Sequence, residues 1–308
     1  MTFKSTIQQS AACVIFFYSC FSLPSFAKEK YFIEYWDRPQ ANYTDVVNPI
    51  GVSKKKLSIK EDDLSIATIH DIQYNKKLKF KGVYLNILIS RLPLKTYHDL
   101  ILLHFENGMI IPYFYQAHQI TKAVKPLIAF SYFANKNWQH KFPKVERFDP
   151  RYNDPLPIIF SKNKLVVKTE WYPMHPMGGK SGFSPWKHMD TLTGLELVNA
   201  KAYFKQFTPG DSKLMGGFKV FISRCQYCHG IKNIGSRYGW DFAGPIPIHK
   251  KRTIDTLKNH IKNKKENIFK LGIRMPHQKD ITRDEVSKLW AWMKHMTERE
   301  KLPSYQVK

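Results

Sequence analysis

Cysteine is scarce in this 308-residue chain, which has four, and none lies between residues 28 and 224. Cys13 and Cys20 fall in the first 27 residues, and Cys225 and Cys228 form one pair in the last third. That distribution rules out a disulfide framework for residues 28–224. It also rules out a four-cysteine zinc site, which needs a second pair. Acid is scarce too, with 25 Asp and Glu against 49 Lys and Arg, a net charge of +24. No internal repeat of about 20–50 residues is present, so a solenoid or propeller is excluded. Nor is there a long apolar run: Ala11 to Leu23 is short and broken by Ser and Cys, whereas a membrane span needs about 20 apolar residues.

Residues 1–27 carry one Lys, then that apolar run, then Ser25-Phe26-Ala27. This is the pattern of an export signal, and it predicts cleavage after Ala27 and a periplasmic protein. A membrane anchor is the plainer alternative. Cys20 is a candidate lipoprotein acceptor, against which Phe17, three positions earlier, is a poor match. Cleavage would leave Cys225 and Cys228 as the mature chain's only thiols.

An exported chain with one C-x-x-C pair is either a dithiol oxidoreductase or a haem carrier. The stretch SRCQYCHGI places His229 directly after Cys228, and C-x-x-C-H is the c-type haem attachment pattern. On one helical turn, residues three apart share a face, so both thiols can add to the vinyl groups of one porphyrin while His229 reaches the iron.

Around that motif, residues 209–300 resemble a class I cytochrome c. GGFKVFISRC puts Gly217 eight and Phe221 four residues before Cys225, where the family crosses its first and last helices. GIRMPH offers Met275-Pro276 in a loop, as the family's distal thioether is presented. DITRDEVSKLWAWMKHM has a capping box at Thr282 and Glu285. Val286, Leu289, Trp290, Met293 and Met296 follow at helical spacing, and Trp292 falls where an aromatic meets the glycine of the first helix. The resemblance implies one covalent haem c on Cys225 and Cys228, with His229 and Met275 as axial ligands. It also implies that the Pro245 carbonyl, in Gly244-Pro245, accepts the N–H of His229. Met293 and Met296 read as core. His249, His260, His277 and His295 read as surface residues, each a rival sixth ligand. A His/Met pair favours electron transfer.

QFTPGDSK (206–213) is a turn-rich break. It gives three parts: a signal peptide (1–27), an N-terminal α+β, mostly β domain (28–207), and an all-α cytochrome c domain (208–308). In the N-terminal part, LKFKGVYLNILI joins a strand to an apolar run, and YHDLILLHFENGMIIPYF gives two strands about Glu106-Asn107-Gly108. KPLIAFSYF and KLVVKTEWYP read as further strands. FKGVYLNILI, FENGMIIPYF and KPLIAF, in that order, are similar to the sulfite-oxidase-type molybdopterin fold. That family's enzymes bind molybdenum through a cysteine thiolate, and residues 28–224 have none. The resemblance therefore implies a scaffold or docking module without molybdopterin chemistry.

WYPMHPMGGKSGFSPWKHMD holds Met174, His175, Met177, His188 and Met189 among Pro, Gly and Trp. Thioethers with imidazoles suit copper, and Met as a gap-filler is the plainer reading. Residues 209–308 carry 21 Lys and Arg against 9 Asp and Glu. No nucleic-acid recognition motif accompanies this charge, which predicts an acidic redox partner protein or a membrane respiratory complex, with anionic lipid surfaces as a further attraction. The leading function is thus one-electron transfer. Two alternatives stay open: a fused dehydrogenase whose N-terminal domain oxidises a small substrate, and a non-catalytic or copper-handling subunit of a redox complex.

Overall fold

The computed structural model describes residues 31–37, 53–71, 76–115, 127–139, 165–168, 191–262, 278 and 280–299. Among these, ten strands form one sheet: β1 (Tyr31–Asp37), β2 (Lys55–Ile59), β3 (Ser65–Asp71), β4 (Lys76–Tyr84), β5 (Leu100–Phe105), β6 (Ile110–Tyr113), β7 (Leu127–Ala134), β8 (Asn137–Gln139), β9 (Leu165–Lys168) and β10 (Thr191–Val198). The main path runs β2-β1-β10-β9-β7-β4-β3. All pairings are antiparallel except β1 with β10, where Tyr35 lies opposite Leu195 and Asp37 opposite Leu197. β10 is the hub, with β5 along one edge and β1 and β9 in succession along the other. Gly194 in β10 lies under the Trp36 ring, so a side chain there would collide with the indole.

The predicted strands about residues 106–108 are β5 and β6, with Gly108 in the left-handed region at φ +85°. The apolar run after β4 is helix α1 (Leu85–Arg91), which buries Leu85, Leu88 and Ile89. It ends in a β-region Leu92, next to Pro93, as the residues before a proline usually do.

β5 is buried on both faces, which explains its unbroken Leu100-Ile101-Leu102-Leu103 run. Ile101, Leu103 and Phe105 join a core with α1, Ile33, Val83, Met109 and Leu195. Leu100 and Leu102 join a second core with Ile110, Val198 and the C-terminal helices. That second core continues through α2 (Ala200–Lys205), whose cap, Asn199, accepts from the Ala202 N–H at 2.9 Å. The chain then turns into α3 (Met215–Val220), followed by one wide turn of π-helix over Phe221–Cys225. Such turns are uncommon and concentrate at functional sites.

The C-terminal helices are α4 (Ile248–Lys251), α5 (Ile254–Lys262) and α6 (Arg283–Glu298). The capping box at Thr282 and Glu285 is formed in both directions. Val286, Leu289, Trp292, Met293 and Met296 are buried on α6. Trp290 is only half-buried, with its indole N–H donating to the Arg252 carbonyl at 3.1 Å. Leu257 and Ile261 form the buried face of α5. α3 crosses α6 at Gly217, where a Cβ would overlap the Lys288 carbonyl and Trp292. Phe221 stacks on Trp292 at 4.6 Å between ring centroids. Among the described residues, no helix is long and apolar enough to cross a membrane.

Candidate haem site

Cys225 closes the π-turn, and the amides of Cys228 and His229 both donate to its carbonyl, at 3.1 and 2.9 Å. Cys225 and His229 line one cavity, whereas Cys228 packs on the sheet side of the turn. Both cysteines are buried and neither forms a disulfide. Cys225 packs in the helical core and Cys228 in the sheet core, so the motif straddles the two. Burial pushes the Cys225 thiol up to about 12, against a small opposing pull from Arg224. A dithiol oxidoreductase needs an accessible, low-pKa thiolate, and Cys225 is the opposite.

The His229 imidazole lies with Nδ1 2.7 Å from the Trp240 carbonyl. This corrects the expectation for Pro245. The backbone at Gly239-Trp240 passes flat against the ring, and Pro245 instead lines the neighbouring cavity. A Cβ on Gly239 would come 2.5 Å from His229 Cε1. Fixing Nδ1–H in this way selects the tautomer with Nε2 free to bind a metal. Burial pushes the imidazole below its usual value, partly offset by the Trp240 carbonyl and the Asp241 carboxylate. The ring is therefore neutral, as a ligand must be.

Asp241 holds this loop. Its Oδ1 accepts from the amides of Lys232, Ala243 and Gly244, at 2.9, 2.7 and 3.2 Å, and its Oδ2 from Asn233 at 2.7 Å. Lys232 and Asn233 have left-handed φ of 51° and 63°. They form the two-residue turn of a small hairpin, β11 (Gly230–Ile231) with β12 (Ile234–Gly235). The hairpin loop also docks on the sheet. The Arg237 amide donates to the Gly108 carbonyl at 2.8 Å, and Ser236 Oγ accepts from the Ile110 amide at 3.2 Å.

Beside His229 opens a cavity of about 310 Å³, lined by Cys225, Trp240, Phe242, Ile246, Leu257, Ile261, Leu289 and Met293, with His260 on its wall. Its surface is mostly apolar, as a porphyrin requires. The Cys225 thiol, the free Nε2 of His229 and this apolar slot fit a haem, while Cys228 lies on the sheet side of the same turn. His260 Nδ1 is buried, and among the described residues it has no hydrogen-bond partner. Burial, then the charge of Arg252, push its pKa down to about 4, so it too is neutral. His249 and His295 do not line the cavity, and His249 bonds Thr297 and pairs with Glu298. At the rim, Trp240 and Ile246 are exposed, with Lys251 Nζ 4.9 Å above the Trp240 ring.

Residues 212–293 match the family model described as cytochrome c oxidase, cbb3-type, subunit III. The C-terminal region holds a cytochrome c domain. It is a haem-binding electron-transfer unit. No curated protein and no solved structure matches the chain. The sulfite-oxidase-type resemblance of the N-terminal part finds no support in these comparisons, and the described N-terminal residues are mostly β sheet.

Met275 and His277 lie outside the described residues, as do residues 1–27 and the whole of Met174, His175, Met177, His188 and Met189. Among the described residues, no group of three or more His, Cys, Asp or Glu could hold a metal ion. The sequence reading missed Trp240, Gly239 and Asp241, although Asp before a Gly-Pro turn is a readable turn signal. It also missed Arg224, buried next to Cys225 and bonded to Asp280 at 3.2 Å and Glu285 at 3.0 Å.

Proposed function

We propose that this chain is an exported one-electron carrier, with a single haem c attached through Cys225 and Cys228. In this reading, His229 and Met275 are the axial ligands, and the export signal is cleaved after Ala27. The observation that carries it is the His229 geometry: Nδ1 held 2.7 Å from the Trp240 carbonyl, beside an apolar cavity and two buried thiols. Bound haem would supply one-electron exchange through its iron, and a His/Met pair would set a higher potential than two imidazoles. The protein's part is to hold the imidazole neutral and oriented, and to line the iron's surroundings with Leu257, Leu289 and Met293, which exclude water.

In this reading the chain divides into residues 28–207, a scaffold that braces the haem loop, and residues 208–308, the carrier. Its partner is an acidic redox protein or a respiratory complex, as the oxidase subunit named by the matching family model suggests. The exposed Trp240 and Ile246, on the same cavity rim as Lys251 and Arg252, provide an apolar contact flanked by positive charge, which favours encounter with an acidic surface.

The test is spectroscopic redox titration of the mature protein purified from an exporting host. Haem that stays with the denatured chain, and is lost from the Cys225→Ala/Cys228→Ala variant, supports covalent attachment. A long-wavelength sulfur-to-iron band in the ferric spectrum, abolished by Met275→Ala, supports the axial pair. Extractable haem would defeat the attachment, and a sulfur band that survives Met275→Ala would defeat the ligand assignment.

A further inference from the structure

Two imidazoles line the haem cavity, and the proposed function uses only one. His229 is spoken for on both sides of its ring: Nδ1 by the Trp240 carbonyl, Nε2 by the metal it would bind. His260 has no such account. Its Nδ1 is buried without a hydrogen-bond partner among the described residues, in a cavity that Leu257, Ile261, Leu289 and Met293 line together with Arg252. Buried polar atoms in native folds are almost always satisfied, and one that is not calls for a missing partner.

His260 is held where it is by its helix. Leu257 and Ile261 anchor α5 in the core, Asp255 pairs with Arg283 at 3.0 Å, and the Ile261 carbonyl accepts the Gln278 amide at 3.3 Å. His260 lies between the buried Leu257 and Ile261 in sequence and at the edge of their face. It therefore faces the cavity without a flexible loop to carry it away.

We infer that His260 is a second haem ligand: with haem bound, its imidazole would hold the iron whenever Met275 did not. The exchange balances simply. With haem bound, His260 would give its imidazole lone pair to the iron as Met275 withdrew its sulfur lone pair, and no proton or electron would move. Because bis-imidazole haem has a lower potential than His/Met haem, the same domain would have two potentials selected by its sixth ligand. The inference rests on His229 as the fixed ligand and on Met275 as the other.

The experiment compares ferric spectra, electron paramagnetic resonance and midpoint potential of the full-length holoprotein in four forms: wild type, Met275→Ala, His260→Ala and the double variant. Met275→Ala is expected to stay low-spin with a bis-imidazole signature and a lowered potential. The double variant is expected to become high-spin, and to regain the low-spin signature when free imidazole is added. A Met275→Ala spectrum that is high-spin and identical to that of the double variant overturns the inference, as does a bis-imidazole signature that persists in the double variant. If the wild type has no sulfur band, the Met275 reading fails separately. His260→Ala alone then decides, loss of a bis-imidazole signature supporting the inference and its persistence overturning it. His260→Gln, which keeps the bulk, guards against a folding defect in the alanine variant.

Discussion

Gly217 and Trp292 meet where α3 crosses α6, and there is no room between them for a methyl group. A Cβ at Gly217 would overlap both the Lys288 carbonyl and the Trp292 Cβ, and backbone cannot yield as a side-chain tip can. Gly217→Ala is therefore expected to destabilise the holoprotein by about 1–3 kcal/mol, and Gly217→Val by more. Urea midpoints followed by haem absorbance would measure it. An unchanged midpoint for the valine variant would mean the helices do not cross here.

Arg224 ties the haem-binding turn to the start of α6 through Asp280 and Glu285. The guanidinium is buried, while the two carboxylates are 37% and 29% exposed, so water tempers their loss. Arg224→Leu should cost about 1–3 kcal/mol, with Arg224→Lys recovering only part of it because one ammonium cannot reproduce the fork. Thermal unfolding of the two variants side by side decides this, and equal stability of leucine variant and wild type would refute it.

Gly239→Ala should disturb the iron without touching a ligand. The added methyl would press 2.5 Å from His229 Cε1, so the ring must rotate away from the Trp240 carbonyl. The expected signs are a growing high-spin fraction and a shifted midpoint potential, with the thioether attachment unchanged. If spectrum and potential stay at wild-type values, Gly239 is not what positions the imidazole.

Ser236→Ala should loosen the haem loop from the sheet. It leaves the Ile110 amide without its acceptor at a buried position, a loss of about 1–3 kcal/mol. Hydrogen exchange would register this as faster exchange at Ile110 and Arg237, while the α6 amides keep their protection. Uniform acceleration across the molecule would argue against a local attachment.

Asp37 predicts a pH dependence. Burial alone would raise its carboxyl, but hydrogen bonds from Lys95 and His98 outweigh that and hold it below the ordinary aspartate value of 3.8. A depressed carboxylate stabilises the fold above its unfolded pKa, and that stability is lost as pH falls through the folded value. Asp37→Asn should thus be less stable than wild type at pH ~7 by about 1 kcal/mol after screening, and the gap should narrow only as pH falls from ~4 through the lower, folded value. Denaturation curves at both pH values test the sign, and a constant gap would contradict it.

The cytochrome domain was the more legible half because its constraints are local in sequence. Cys225, Cys228 and His229 lie within one turn, and the Thr282–Glu285 box and the Val286–Met296 stripe follow helical spacing. Even the Gly217–Trp292 crossing could be read, because only glycine fits such a contact. The His229 partner was misread because a backbone carbonyl leaves no side-chain signature, and the loop path that selects Trp240 over Pro245 depends on Asp241. In the N-terminal half, β4, β5, β6, β7 and β9 could be seen as strand patterns. The parallel β1–β10 pairing joins residues about 160 apart, and no local pattern encodes a partner at that distance. The docking of Arg237 on Gly108 is likewise long-range, a backbone bond with no residue preference to announce it.

The split of the two thiols between two cores has a consequence for assembly. Cys225 lines the cavity from the helical side, while Cys228 is packed against the sheet side, so a finished fold shuts the Cys228 sulfur away from any incoming porphyrin. In the proposed attachment, the Cys228 bond to its vinyl carbon must form while the chain is still open, before β5 and β6 receive the hairpin loop. Loading would then be a step in folding, and a chain that closed first would be locked empty.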